Sequence, residues 1–555
     1  MLRVTLLASA LAISAAAQPA DLLLVNGNIH TLDAAQPRAT AIAVRGDRIV
    51  FVGDAAGAEQ FRAGAKRVID LHGATVVPGL NDAHMHLEGV GERELSFDLE
   101  GTKSVTDLQA KVAARVASAP AKKWIVGRGW IETHWPEKRF PARQDLDAVA
   151  PQHPVVLVRA DGHALVANSL ALRLGGVTRD TPAPSGGEIL HDAQGEPTGM
   201  LIDQAMTLAM RLVPPSTPEE VEQFLVVGAA REARLGWTGV QNAGNSFEDS
   251  ERLRRLIADG RVKIRVYDSL SGADGSGVKL LAAGPVIGES AGRFTRRGVK
   301  LYIDGALGSR GAALLAPYAD YPQSSGLLMQ EEAKLMPFLT DALRQGIQIQ
   351  THAIGDRGNR SVLDWYEKAL AAVPVAERGV AQPRWRIEHA QIIHPTDIPR
   401  FAQLGVIASM QPSHAIGDLF FAPSRLGKDR LACAYAWQSL LKSGAVIASG
   451  SDAPVERGEP MIEFYAAVAR RSLDGFANED WHLEQRMTRE QALRAMTLDA
   501  AFATFEEKQR GSIEVGKWAD FTVLSADILK IPEPEILKTR CLYTIVGGEV
   551  VHEAK

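Results

Sequence analysis

Two histidines one residue apart, His84 and His86 in VVPGLNDAHMHLEGVG, follow an apolar run that closes at Pro78-Gly79. Side chains alternate along a strand, so both rings face the same way. Imidazole is a common ligand for zinc and similar divalent metals. By itself His-x-His is a weak signal, equally open to two polar residues ending a strand. Further along, IQTHAIGDRG ends a β-prone run with His352, RIEHAQI with His389 and IASGSDAPV with Asp452. A buried interior would not take His or Asp repeatedly at strand ends without partners for them. These five residues therefore read as one convergent metal site. Lys300, in GVKLYIDGAL, joins them. An inward lysine among metal-bound histidines does not readily stay cationic. Its amine can capture carbon dioxide and become a carbamate, an anionic oxygen ligand able to bridge two metals. A lysine that only donates hydrogen bonds is the alternative.

Such residues need a scaffold that brings strand ends together. Short apolar strands alternate with amphipathic helical stretches: ATVVPGLNDAHMH, GWTGVQNAG, KIRVYDSL, GVKLYIDGAL, IQIQTHAIG, RWRIEHAQI, GVIASMQPS and AVIASGSDAPV are the strands. A βαβα pattern implies a parallel sheet covered by helices, and eight units imply a TIM barrel. The predicted fold class is α/β: a (β/α)8 barrel over residues 78–490, with a β-sandwich built from both chain ends. Residues 18–77 supply its N-terminal part, with Asn-Gly, Gly-Asp and His-Gly turns, and 491–555 a helix and its C-terminal part. Between His86 and GWTGVQNAG lies far more chain than one βα unit requires. A large insertion after barrel strand 1, at about 95–217, is expected to cap the active site, since such loops lie on the face where the chemistry sits.

Bulk properties narrow the function further. The 555 residues are 46% hydrophobic and 23% charged, with a net charge of −5, so no basic concentration points to nucleic acid. The first 17 residues, MLRVTLLASALAISAAA, combine one Arg, a short apolar run and a small-residue cleavage pattern before Gln18. They predict a signal peptide and export, to a periplasm, leaving a mature charge of −6. The apolar run is too short to span a bilayer, so no membrane partner is expected. Two cysteines, Cys433 and Cys541, make neither a disulfide scaffold nor a thiolate metal site.

Taken in order, His84-x-His86, Lys300, His352, His389 and Asp452, with the phrases VVPGLNDAHMHL, VKLYIDGALGSRGAALL, THAIGDR, RIEHAQ, MQPSHA and GSDAPVE, resemble the amidohydrolase superfamily, in its amidohydrolase-3 branch of YtcJ-like proteins. The resemblance spans about residues 21–552, and no ligand position is missing. It implies that His84, His86 and Asp452 hold one metal, and that carbamylated Lys300 bridges to a second held by His352 and His389. One or two divalent ions, zinc foremost, are expected; a homodimer is a family-level expectation. Metal-bound water is acidified toward neutrality, supplying hydroxide. Asp452 and His389 are the expected catalytic residues, with Asp452 orienting the hydroxide, taking its proton and passing it to the leaving group.

The expected activity is hydrolysis of a carbon–nitrogen bond in a non-peptide amide of a small molecule. Hydrolysis of an ester, lactone or carbamate on the same site is the alternative, and a non-catalytic binding protein a more distant one. Specificity lies in loops. Candidate substrate contacts are His163 on the insertion, Asp304 and Arg310 just after Lys300, His414 after the seventh strand, and Trp130 among the insertion's tryptophans.

Overall fold

The computed structural model describes residues 19–555 apart from 134, 160, 161, 163, 185 and 186. The expected signal peptide and His163 lie outside the described residues. The chain divides into two compact units, residues 92–224 and the remainder.

The larger unit is built on eight parallel strands: β1 (Leu80–Met85), β2 (Trp237–Asn245), β3 (Arg265–Ser271), β4 (Phe294–Tyr302), β5 (Gln348–Ala353), β6 (Arg386–His389), β7 (Ile407–Met410) and β8 (Ile447–Ser449). They pair in chain order, as a run of βα units should. Each strand is buried along most of its length, which is why these segments read as apolar runs rather than alternating ones. A short antiparallel strand, Val286–Gly288, leans on β4. The barrel is nearly closed. No β8–β1 ladder forms among the described residues, and the seam is crossed instead by Asp452 N donating to His84 O (2.7 Å) and Ser451 N donating to Asp82 Oδ1 (2.9 Å). Helices return the chain between strands. Glu332–Gln345 buries Leu335, Phe338, Leu339 and Leu343, spaced as one face of a helix, and stops at Gly346 with φ 69°, where a left-handed residue turns the chain into β5.

Two further sheets form, the first from the N-terminal segment alone and the second from both chain ends. One runs Arg48–Gly53, Ala41–Arg45, Leu22–Val25, Arg67–Asp70; the other Glu549–Glu553, Cys541–Val546, Phe521–Leu524, Thr75–Pro78, Asn28–His30, Arg38–Ala39. Thr75–Pro78 pairs antiparallel with Phe521–Leu524, so residues far apart in sequence share a ladder. Leu22, Leu24, Ile42 and Ile69 of the first sheet and Val76, Phe521, Val523 and Ile545 of the second pack in one buried cluster. The segment after Pro78 enters β1 through Gly79, where a Cβ would overlap Thr238 and Asp520. The strand that carries His84 is thus anchored at its start by a packed sheet.

The unit of residues 92–224 has its own six-stranded sheet, ordered Gly187–His191, Pro197–Asp203, Ala164–Ala167, Val155–Arg159, Ile125–Trp130, Phe97–Asp98. Its core gathers Leu108, Val112, Trp130, Trp135, Leu146 and Leu157. Cys433 and Cys541 are both free. Among the described residues no helix is long and apolar enough to cross a membrane.

Candidate metal centre

At the C-terminal end of the barrel the six residues singled out by type and spacing come together. His84 lies at the centre: its Nε2 is 3.2 Å from Lys300 Nζ and 3.5 Å from Asp452 Oδ1. His86 Nε2 is 3.1 Å from the same Asp452 oxygen. The His389 ring centroid is 5.0 Å from that of His84 and 4.5 Å from that of His352. His84, His86 and Asp452 each offer a ligand atom, all within 4.8 Å of one another; so do His389, His414 and Asp452. Strand geometry explains most of this, since His84 and His86, like Lys300 and Tyr302, alternate with outward residues. His389 and Asp452 instead stand at positive φ, 72° and 59°. That turn lets each leave its strand and still face the mouth.

Hydrogen bonds fix the imidazole tautomers. His84 Nδ1 faces Glu388 Oε2 (2.6 Å), His86 Nδ1 faces the Ala243 carbonyl (2.8 Å) and His389 Nδ1 faces Gln411 Oε1 (2.8 Å). All three partners are oxygen acceptors, so each Nδ1 donates and each Nε2 keeps its lone pair. Those lone pairs are what a metal needs, with the outer acceptor orienting the ring. At His414 the partner is the Gln391 amide nitrogen, 3.1 Å from Nδ1. There Nδ1 accepts, and the neutral ring carries its proton on Nε2, 3.5 Å from Asp452 Oδ2. His414 therefore offers a donor rather than a lone pair.

Electrostatics agree. Burial, then the Lys300 charge, pushes His84 down to about 4 and His352 down to about 3, and burial beside the His352 ring takes His389 well below its ordinary value. These rings are neutral at neutral pH. Burial lowers Lys300 to about 8, despite the carboxylates of Glu388 and Asp452. Burial alone would raise Asp452, but His86, facing it at 3.1 Å, and the imidazoles of His389, His84 and His414 outweigh it and hold the carboxyl well below the usual range.

Several participants escaped the sequence reading. Glu388 is fully buried, holds His84, and is itself in an ion pair with Arg386 (Nε–Oε1 2.7 Å). Burial would raise its carboxyl; the Arg386 charge and the His84 imidazole hydrogen-bonded to it reverse that and hold it far below the usual range. Arg386 Nη2 also donates to the Ala83 carbonyl and to Ser409 Oγ (2.6 Å), tying the floor of the site to β1 and β7. Asp82 accepts from His84 N (3.1 Å), Ser451 N and Ser451 Oγ across the barrel seam, and burial raises it to about 7. Its signal was present: Asp82, His84 and His86 share one face by alternation. Glu388 gave none, since alternation puts it opposite His389 until the positive φ at His389 is known.

The remaining expected contacts fare differently. Asp304 is buried with both oxygens engaged, Oδ2 accepting from Ala313 N and Gly355 N (both 2.8 Å) and Oδ1 from Ile354 N (2.9 Å). It knots the loops after β4 and β5 and stands 3.6 Å from His352 Nε2, so it supports a ligand and has no free oxygen for substrate. Arg310 is paired with Asp320 (Nη2–Oδ2 2.8 Å) and not free for an acidic substrate group. Trp130 corrects the expectation of a pocket-lining ring. It is completely buried in the core of its own unit, with Nε1 donating to the Leu157 carbonyl (2.8 Å) and its ring 6.1 Å from Trp135.

The donor set fits a divalent cation on an observation of its own. His86 Nε2 and Asp452 Oδ1 face each other at 3.1 Å with the His86 Nδ1 hydrogen directed at the Ala243 carbonyl, an approach that calls for a proton or a cation between them. Comparison with known proteins points the same way. A sequence model described as the amidohydrolase family matches residues 67–552. Protein LONG AFTER FAR-RED 3 of Arabidopsis thaliana is 35% identical, over 96% of this chain and 92% of its own. N-substituted formamide deformylase of Arthrobacter pascens is 29% identical, over 97% and 99% respectively. An uncharacterized metal-dependent hydrolase from Pyrococcus horikoshii OT3 superposes with a TM-score of 0.76 at 26% identity, over 92% of this chain and 99% of that one.

Proposed function

The chain belongs to the amidohydrolase family and is a metal-dependent hydrolase acting on carbon–nitrogen bonds; from that premise we propose that it cleaves a non-peptide amide of a small molecule. The observation that carries this reading is the convergence of three oriented Nε2 lone pairs on a carboxylate whose acidity keeps it ionised. In this proposal His84, His86 and Asp452 hold one ion, and Lys300, His352 and His389 a second. His414 is left as a donor facing the reacting groups. The ions, zinc in this reading, would supply an activated water and an electrophile for the substrate carbonyl.

The protein's own groups do the rest. Glu388, Ala243 O and Gln411 hold the rings so that their lone pairs stay aimed at one place. Asp452, ionised across neutral pH, takes the proton of the attacking water and returns it to the leaving nitrogen, which departs readily only when protonated. Lys300 Nζ, fully buried beside His84, becomes a carbamate by adding to carbon dioxide with release of one proton. Its oxygens then extend toward both halves of the site. The name of the Arthrobacter relative directs attention to N-substituted formamides as a starting class.

The test is a matched set of amides and esters, formanilide and 4-nitroacetanilide against phenyl formate and 4-nitrophenyl acetate, with zinc- or manganese-loaded protein. Acceleration over the uncatalysed reaction should be greater for the amides. Turnover of esters alone would move the reading to an ester or lactone hydrolase.

A further inference from the structure

Tyr302 stands two residues beyond Lys300 on β4, so both side chains share the inward face. Its ring lies 5.0 Å from Lys300 Nζ and its centroid 5.4 Å from that of His352. The residue is 38% exposed, although it borders a cluster of buried groups. Its hydroxyl makes no hydrogen bond among the described residues.

The hydroxyl reaches toward β2. A Cβ built on Gly244, at the end of β2, would meet Tyr302 Oη at 3.8 Å and nothing else within 4 Å. The phenol therefore reaches from β4 over β3 to β2, beside open space. Gly244 follows Ala243, whose carbonyl fixes His86. The oxygen thus lies between the Lys300–His352 side of the site and the His86 side.

We propose that Tyr302 Oη donates a hydrogen bond to the carbonyl oxygen of the substrate and stabilises the negative charge that oxygen gains when water adds. The inference rests on the hydrolase reading of the mouth. A donor aimed where charge develops contributes to catalysis more than to ground-state binding.

The test uses Tyr302→Phe, which removes only the oxygen. Zinc-loaded parent and variant are titrated calorimetrically with acetohydroxamate, whose carbonyl oxygen stands in for that of an amide. The variant should keep the parent's zinc content and Tm and bind about tenfold more weakly, the effect of one lost hydrogen bond. On any amide the parent turns over, kcat should fall roughly 10²–10³-fold, with KM changing less. Equal acetohydroxamate affinity in the two proteins, or no binding by the parent, overturns the proposal. Failure of the parent on every amide and ester would sink the hydrolase reading separately, while the titration still decides the role of Tyr302.

Discussion

Among the described residues of the unit 92–224 no Asp, Glu, Lys or Arg is buried; at the barrel mouth several are. The first unit hides Leu108, Val112, Trp130 and Leu157, and its charged pairs, such as Arg139–Asp145 and Arg179–Glu196, stand at least partly in solvent. The mouth hides His84, Lys300, Glu388, His389 and Asp452, groups whose burial costs stability unless something repays it. Part of the return is internal, through Arg386–Glu388–His84. The rest falls to function, because depressed and elevated acidities of this kind mark sites of chemistry. Burial alone identifies neither region. What distinguishes them is which atoms are left with unused lone pairs once packing is complete.

The comparison can be broken most decisively at Asp452. Asp452→Asn keeps the shape and removes the base, and kcat/KM should fall at least ~10³-fold with Tm little changed. A loss under tenfold in steady-state kinetics would contradict its role. Trp130→Ala tests the other region. It should cost about 3–5 kcal/mol in urea unfolding, as large-to-small changes in packed cores do, and leave the metal content of the folded protein intact. Loss of metal without loss of stability would place Trp130 in the site after all. Glu388→Gln should weaken metal binding roughly 10–100-fold in chelator competition, the usual effect of disturbing a ligand's outer partner; unchanged affinity would make Glu388 structural only.

Acid should separate the regions again. In metal-free protein His84 falls from an ordinary 6.5 to about 4. Below 6.5 the unfolded chain binds a proton that the folded chain refuses, so the contribution to stability is full above pH 6.5 and lost as pH falls toward 4. Thermal melts of metal-free protein should therefore show a lower Tm at pH 5 than at pH 7.5, and a His84→Phe variant should show less of that slope. The smallest effect is expected at Arg310→Ala. Its solvent-exposed pair with Asp320 contributes little to stability, and activity should stay within about threefold of the parent; a large rise in KM would restore Arg310 as a substrate contact.

How far these features were legible depended on range. The eight barrel strands stood out as apolar runs ending in polar residues, and His84 and His86 followed from alternation within a single strand. His352, His389 and Asp452 were found because each closes a β-prone run before a turn, and Lys300 because it falls within that set. Their supporting groups were hidden by longer-range geometry. Glu388 and Arg386 look like ordinary alternating residues of RWRIEH, and only closure of the barrel brings them under His84. Gln411 became visible only when His389 turned on a positive φ. Trp130 misled because an aromatic in an insertion has the same sequence signature whether it lines a pocket or fills a core. The pairing of Thr75–Pro78 with Phe521–Leu524 has no local signal beyond two short apolar strands.

The central claim is that the mouth binds divalent metal through the rings on β1. Elemental mass spectrometry of zinc-loaded, desalted parent beside a His84→Ala/His86→Ala variant tests it directly. The account predicts at least about one ion per chain in the parent and substantial loss in the variant, with both proteins folded by circular dichroism. A parent without metal, or a variant that retains the parent's content, would contradict it.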